Sequence, residues 1–173
     1  YHAQVLQAAT QQVVRLGVVD FLNTAPLISG MERVDGIEFV HKVPSDLIGC
    51  LERNEVDIAL ASSIDYQRSA IDLRILPVGV LSSEGETLTV RLCSRRPIED
   101  IEEVHCDTDS HTSIVLLQIV LKQEYGISPK IVPANIRSIL CNGSEWPETV
   151  LIIGDKVVTS EPKLASQHKL DLG

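Results

Sequence analysis

The sequence has no long hydrophobic run and no excess of basic residues. No apolar stretch approaches the roughly 20 residues of a transmembrane helix, so no membrane span is expected. Fifteen Lys and Arg residues against 24 Asp and Glu residues give a formal net charge of -9 at pH 7. Nucleic acids and anionic membrane surfaces both favour a basic face, so neither is expected as a partner. A small anion is still a suitable ligand, because helix N-termini bind anions locally.

The sequence also lacks closely spaced metal ligands. None of the four cysteines forms a Cys-x-x-Cys pair, which favours buried reduced thiols over a disulfide framework or a zinc site. The five histidines show no ligand spacing either, so no metal is expected. The opening "YHAQVLQAATQQ" has neither the basic start nor the apolar centre of a signal peptide. These residues predict a polar N-terminal arm over 1–12 and a cytoplasmic location.

Strand-like apolar runs alternate with helical segments in the first half of the chain. Val13–Val19 and Glu38–Lys42 predict strands, and Val56–Ala61 predicts a strand that is buried on both faces. Helices are predicted after the polar turns, over Asn23–Gly30, from Pro44 through "LIGCLERN", and at "SSIDYQRS". "LRILPVGVLSSEGE" and "TLTVRLCSR" predict two further strands.

The second half of the chain repeats this alternation. Val104–Asp107, "KIVPA" and "TVLIIGD" predict strands, and "IRSIL" predicts a short helix. Ser110–Tyr125 predicts an amphipathic helix that Ser110 or Thr112 caps and Gly126 ends. We therefore predict an α/β fold of two lobes with mixed sheets, 13–92 and 93–160.

The stretch "LGVVDFLNTAPLISG" places a polar turn between a buried strand and a helix. Asn23 or Thr24 is a suitable N-cap, and Pro26 lies where a first-turn proline is tolerated. The unpaired N–H groups at such a helix start suit an anion. An ordinary βα turn that binds nothing explains the same residues.

Other polar turns follow the predicted strands in the same way. In open α/β sheets, ligands bind beyond the carboxyl ends of the strands. A cleft lined by hydroxyls, amides and helix N-termini would suit a small carboxylate compound. The residues expected to line it are Asn23, Thr24, Ser62, Ser63, Ser82, Ser83, Gly85, Asp107 to Ser113, Gly154 and Asp155.

Five segments, taken in order, resemble the chorismate dehydratase family of the futalosine route to menaquinone. They are "DFLNTAPLISG", "VPSDLIGCLERNEVDIALASSIDYQR", "SSEGETLTVRLCSRRPIEDI", "DTDSHTSIVLLQIVL" and "LIIGDKVV". The resemblance runs from about Val13 to the last residue. It implies two lobes like those of type II periplasmic binding proteins, with the active site between them. The implied reaction is loss of water from chorismate to give 3-[(1-carboxyvinyl)oxy]benzoate, without metal or organic cofactor.

The resemblance makes Asn23 the leading catalytic candidate. Its amide can position a substrate but cannot act as a base at neutral pH, so we hypothesise that the base is the substrate's own side-chain carboxylate. His111 stands where the family usually has Arg, and Thr89 where it usually has Ser. Each hydroxyl could instead be an N-cap or turn group. The candidate substrate-binding residues are Thr24, Ser62, Ser63, Ser83, Gly85, Thr89, Asp107, Ser110, His111, Thr112, Ser113 and Asp155.

The resemblance also implies a C-terminally short chain. Family members continue past Asp171–Gly173 with a tail that returns to the first lobe, so 161–173 would start that return. An exposed sheet edge in the first lobe would then favour a homodimer. Two alternatives to the dehydratase stay open. One is a non-catalytic module of the same fold that binds or senses a small carboxylate solute, and the other is a purely structural relative.

Overall fold

The computed structural model describes residues 13–143, 145–160 and 168–173. The predicted N-terminal arm, 1–12, and the first part of the predicted return segment lie outside these ranges. The described chain forms two sheets with helices around them. This arrangement is the two-lobed α/β fold that the sequence predicts.

The first lobe contains a three-stranded parallel sheet with β1 in the middle, in the order β2-β1-β3. The last four residues of β1 are buried, and α2 packs against this strand. The strands are β1 (Val14–Val19), β2 (Ile37–Lys42) and β3 (Ile58–Ala59). The helices are α1 (Ala25–Ile28), α2 (Pro44–Glu52) and α3 (Ser63–Arg68), with short 3-10 turns at Leu22–Thr24 and Met31–Arg33.

Gly17 allows α2 to pack closely against β1. A Cβ at this position would lie 2.7 Å from Leu47 Cδ2 and 3.2 Å from the Cβ of Ala59. Leu47 is fully buried, so its side chain has little room to move away. We expect Gly17→Ala to lower the free energy of unfolding by about 1–3 kcal/mol, the usual cost of overpacking. Urea denaturation measures the change.

Gly49→Ala, within α2, is the matched control for this prediction. Its Cβ would meet only the guanidinium of Arg53, the end of a flexible side chain. Since Ala is the better helix former, this variant should be neutral or slightly more stable. Equal losses of stability in the two variants would contradict the role given to Gly17.

The second lobe contains a mixed five-stranded sheet in the order β6-β5-β7-β4-β8. In it β5 runs parallel to β6 and β7, whereas β4 runs antiparallel to β7 and β8. The strands are β4 (Val90–Ser94), β5 (Glu103–Asp107), β6 (Lys130–Ala134), β7 (Thr149–Ile153) and β8 (His168–Asp171). The helices are α4 (His111–Glu124), α5 (Ile136–Asn142) and α6 (Asp155–Ser160), with a 3-10 turn at Ile98–Asp100.

Both faces of the second sheet are covered by apolar side chains. Every residue of β7 is buried, and its residues divide between two hydrophobic clusters. Leu151 packs in the cluster of Leu117 from α4, whereas Val150 packs in the cluster of Ile136 from α5. Side chains alternate between the faces of a strand, which produces this division. A strand buried on both faces is a continuous apolar run, and "TVLIIGD" is one.

One strand prediction in the first lobe is wrong, and a second is confirmed only in part. Residues 69–89 contain no strand, although "LRILPVGVL" is rich in apolar residues. Every residue from 74 to 86 is exposed, since no described strand lies beside this segment and Pro77 lacks the N–H that a ladder needs. The predicted strand Val56–Ala61 is also shorter and less buried than expected. It is reduced to β3, two residues at the sheet edge with Ile58 37% exposed.

The lobes join earlier in the chain than the sequence indicates. Val90–Leu92, which the sequence interpretation counts with the first lobe, pair with β7 in the second sheet. β8 also lies in this sheet. Because it runs antiparallel to β4, it leads back toward the end at which the chain enters the second lobe.

Asp171 ties the end of β8 to the segment that enters β4. Its carboxylate accepts hydrogen bonds from the backbone N–H groups of Thr87, at 2.8 Å, and Leu88, at 2.9 Å. Burial alone would raise the pKa of Asp171, but hydrogen bonds from Thr87, Gly173 and Leu88 outweigh it and lower this pKa. Since the folded-state pKa lies below the unfolded one, the stabilisation is present above the unfolded pKa. It is lost as the pH falls through the folded value.

We therefore expect Asp171→Asn to lower the free energy of unfolding at pH 7 by about 1.5–3 kcal/mol, because hydrogen bonds to a charged acceptor are lost. The variant should also lose less stability than the wild type between neutral and acid pH. Urea denaturation at a series of pH values measures both. If the free energy of unfolding changed with pH in the same way in both proteins, the Asp171 carboxylate would not contribute to the pH dependence of stability.

Candidate functional site

The turns that follow parallel strands of the two sheets lie close together. Phe21 follows β1, and its ring atoms lie 3.1–3.2 Å from the place of a Cβ on Gly154, which follows β7. The backbone N–H of Ser45, in the first turn of α2, donates to the carbonyl oxygen of Asp109 at 3.2 Å. Helices α3 and α4 also pack together. The polar turns of both lobes therefore share one region of the molecule.

A chain of hydrogen bonds crosses from α3 to α4 in this region. Ser62 caps α3 by accepting from the backbone N–H of Asp65 at 3.3 Å, and its hydroxyl donates to Asp65 Oδ2 at 2.7 Å. The other carboxylate oxygen of Asp65 lies 2.7 Å from His111 Nδ1. The Asp65 side chain is only 7% exposed, whereas that of His111 is 41% exposed. An anchored carboxylate from one lobe thus holds an open imidazole from the other.

The first turn of α4 combines satisfied and unsatisfied hydroxyl groups. Ser110 is the N-cap, as predicted, and accepts from the backbone N–H of Ser113 at 3.3 Å. The hydroxyl of Ser113 donates to Ser110 Oγ at 3.1 Å. Thr112 Oγ1 is buried and has no hydrogen-bond partner within the part of the chain that the structure describes. This hydroxyl lies at a helix start, where a carboxylate group is favoured.

A buried charged network lies at the end of β5. Lys156 Nζ is 2.6 Å from both Asp107 Oδ2 and Asp109 Oδ2, and Arg137 Nε is 3.2 Å from the latter atom. Burial raises the pKa of Asp107, and the hydrogen bond and charge of Lys156 oppose this rise. Burial and the Asp107 charge raise the pKa of neighbouring Cys106 to about 12, so that thiol stays protonated and unreactive. Asp107 is committed to this network.

Asn23 and Thr24 have different roles, although both were predicted site residues. The Thr24 hydroxyl donates to the carbonyl oxygens of Val19 and Phe21, at 2.5 and 2.7 Å, and the residue is 2% exposed. This corrects the prediction for Thr24, because its hydroxyl closes the turn. Asn23 is exposed beside Phe21, and its amide makes no hydrogen bond within the described residues.

The remaining predicted residues lie in two places, some at the turns between the lobes and some in an exposed segment of the first lobe. Ser63 is the exposed first residue of α3, and Asp155 is the half-buried first residue of α6. The carbonyl oxygen of Thr89 accepts from the N–H of Gly154 at 2.7 Å. Ser82, Ser83 and Gly85 lie in the exposed segment 74–86, and a Cβ on Gly85 would meet nothing within 4 Å. These three are not part of the contact between α3 and α4.

The sequence interpretation missed two charged side chains, Asp65 and Lys156. Asp65 follows Ser62 at the spacing of a capping box, a local signal that could have identified it. Lys156 gave no comparable signal, since its partners Asp107 and Asp109 come from a separate part of the chain. Among the described residues, no group of three or more His, Cys, Asp and Glu side chains could hold a metal ion. In the same part of the chain, no helix has the length and apolar character to cross a bilayer.

Comparisons with known proteins show the family of the chain and support its fold. Residues 14–173 match the model of a family described as menaquinone biosynthesis. The chain is 30% identical, over 143 residues, to a chorismate dehydratase from Thermus thermophilus; the match covers 83% of this chain and 51% of that protein. A crystal structure of an Archaeoglobus fulgidus protein is similar with a TM-score of 0.66 and 18% identity, over 95% of this chain and 61% of the other. The chain spans about half the length of the curated relative it matches.

Proposed function

Because the chain belongs to the menaquinone biosynthesis family, we propose that it is a cofactor-independent carbon–oxygen lyase that dehydrates chorismate. The product is 3-[(1-carboxyvinyl)oxy]benzoate, and the second product is water. The similarity to a chorismate dehydratase supports this reaction. Since the match covers only 51% of that relative, the proposal applies to what the two described lobes can do by themselves.

The observation that carries the proposal is that the two lobes meet at their polar turns, through Phe21 beside Gly154 and through α3 packed on α4. The Asn23 amide, the Thr112 hydroxyl and the imidazole of His111 follow these turns and all have unused hydrogen-bonding capacity within the described residues. Chorismate carries two carboxylates and a ring hydroxyl. Its carboxylates suit the first turn of α4 and the neighbouring hydroxyls, despite the net negative charge of the protein.

The reaction removes a ring proton and the ring hydroxyl, and the product gains an aromatic ring. Aromatisation supplies much of the driving force, so the enzyme has mainly to orient the substrate and assist proton transfer. Asn23 positions the substrate through its amide, which donates and accepts hydrogen bonds but does not ionise. The substrate's own side-chain carboxylate is one acceptor for the ring proton.

Incubation of the purified chain with chorismate tests the proposal. We expect the carboxyvinyloxybenzoate to accumulate as chorismate disappears, as measured by liquid chromatography and mass spectrometry. A heat-denatured sample corrects for spontaneous decay of chorismate. No product above that background would refute the dehydratase.

A non-catalytic module for small carboxylates is the second candidate. The start of α4, where Ser110 is the N-cap, suits a bound carboxylate whether or not a reaction follows. Calorimetry separates the two functions. Saturable binding of chorismate without turnover would support the binding module and contradict the enzyme.

A further inference from the structure

We propose that the hydrogen bond between Asp65 and His111 holds the two lobes in the arrangement that brings the substrate site together, so that Asp65 is a positioning residue. This contact, from His111 Nδ1 to Asp65 Oδ1 at 2.7 Å, is called the interlobe hydrogen bond below. It joins α3 of the first lobe to α4 of the second. The inference rests on the proposed function where it concerns the substrate, but the arrangement of the lobes can be measured without one.

The lobes are joined where the chain crosses between them and again between α3 and α4. At the crossing, the Asp171 carboxylate accepts from the backbone N–H groups of Thr87 and Leu88. Away from the crossing, α3 packs on α4, and the interlobe hydrogen bond lies in this contact. A few residues at a crossing can act as a hinge between two lobes. The angle between the lobes then depends on the contacts that lie away from that hinge.

The interlobe hydrogen bond is a stronger contact than the backbone hydrogen bond beside it. The N–H of Ser45 donates to the carbonyl oxygen of Asp109 at 3.2 Å, and both of these groups are neutral. A hydrogen bond with an ionised partner is shorter and about twice as strong as one between neutral groups. The Asp65 carboxylate, when ionised, only accepts, so His111 Nδ1 is the donor. We therefore assign most of the energy of this contact to Asp65 and His111.

Asp65 is fixed to the first lobe. Its Oδ2 accepts from the hydroxyl of Ser62 at 2.7 Å, and its backbone N–H donates to the same hydroxyl oxygen at 3.3 Å. The Asp65 side chain is only 7% exposed, and a buried carboxylate is unfavourable unless it is hydrogen-bonded. His111 is the partner of Oδ1. Separation of the lobes would break that bond, so the Asp65 carboxylate favours the joined arrangement.

His111 is fixed to the second lobe. It is the first residue of α4, and Leu117 and Leu121 of the same helix are fully buried in the second core. The helix therefore moves with its lobe. The next residue is Thr112, whose buried hydroxyl has no partner within the described residues. The interlobe hydrogen bond thus sets where this helix start lies relative to the turn of Asn23 in the first lobe.

Loss of the interlobe hydrogen bond should weaken substrate binding rather than the chemical step. A ligand that needs both lobes binds only the joined fraction of the molecules, so its apparent affinity falls with that fraction. We expect Asp65→Ala to raise KM for chorismate at least about tenfold. Its kcat should stay nearly unchanged, because saturating substrate restores the joined arrangement. Asp65→Asn should keep both constants near the wild-type values, since an amide oxygen still accepts from Nδ1. Steady-state kinetics measure both constants.

Pulsed electron paramagnetic resonance measures the arrangement of the lobes without a ligand. Spin labels on Val34→Cys in the first lobe and Ile119→Cys in the second, both exposed positions, report the distance between the lobes. The exposed Cys141 is replaced by Ser in this background. We expect one narrow distance distribution, and a broader or longer one after Asp65→Ala. His111→Ala should have the same effect, and the double variant no larger one, since both changes remove one contact.

Asp57→Ala is the matched control for the distance measurement. Asp57 pairs with Arg15 at 2.8 Å, so this variant also loses a carboxylate contact, but one within the first lobe. Its distance distribution should stay narrow. Thermal unfolding shows whether each variant is folded. If Asp65→Ala is not, His111→Ala decides, because the His111 side chain is 41% exposed and its removal costs the fold little.

The outcomes separate this inference from the proposed function. A folded His111→Ala variant with the original distance distribution would refute the inference, and so would a fall in kcat of Asp65→Ala without a change in KM. If the chain did not dehydrate chorismate, the dehydratase would fail. The distance measurement needs no substrate, so it would still decide whether Asp65 and His111 hold the lobes together.

Discussion

Asn23→Ala should lower the rate of chorismate dehydration at least about 100-fold and leave the thermal stability unchanged. The Asn23 side chain is exposed, and its amide makes no hydrogen bond within the described chain. Its removal therefore costs the fold little. Loss of one donor aimed at developing charge typically lowers kcat by about 10²- to 10³-fold. Steady-state kinetics together with thermal unfolding measure both parts of the prediction.

Leu22→Ala is the matched control for Asn23→Ala. Leu22 belongs to the same 3-10 turn and is 78% exposed. Its replacement should change neither rate nor stability. If Asn23→Ala kept the full rate, or if both variants lost activity equally, the turn would have no specific role in positioning the substrate.

Lys156→Ala should destabilise the fold by about 3–5 kcal/mol, the cost of removing one partner from a buried ion pair. Lys156 Nζ lies 2.6 Å from the carboxylates of both Asp107 and Asp109. Asp107 is 1% exposed, so without the lysine its charge would be buried and uncompensated. Urea denaturation at pH 7 measures the difference in the free energy of unfolding.

Lys130→Ala is the comparison for this second prediction. Lys130 Nζ is 2.8 Å from Glu103, a similar distance, but the lysine side chain is 72% exposed. An exposed pair of this kind contributes at most about 1 kcal/mol. A similar small loss for Lys156→Ala would show that the buried network does not stabilise the second lobe. The double variant with Lys156→Ala and Asp107→Asn should recover part of the free energy of unfolding that Lys156→Ala loses.

The sequence predicts best the elements whose burial or capping follows from their own residues. The apolar run of β7 and the cap at Ser110 each encode their structure locally, and both are confirmed. The segment 69–89 is different, because its apolar residues favour a strand only if a neighbouring strand pairs with them. No described strand does so. The composition of the segment does not show whether such a partner strand exists.

The same distinction explains what could be predicted of the site. Ser62 and Ser110 act on backbone groups three residues away, so their capping roles follow from local spacing. The contact of Asp65 with His111 joins residues 46 positions apart and depends on how the lobes meet. Thr24 illustrates the converse error. Its turn position suggests a ligand-binding hydroxyl, but its acceptors are the carbonyl oxygens of Val19, at the end of β1, and of Phe21, in the turn.

An amide NMR titration with 3-[(1-carboxyvinyl)oxy]benzoate tests most directly whether groups from two lobes bind one dianion. With the ligand bound as proposed, the backbone signals of Asn23 and Thr112 should shift together and saturate at the same concentration. Shifts confined to a single lobe would contradict a site between the lobes. So would shifts centred on the polar pocket that Arg96 and Glu102 line in the second lobe.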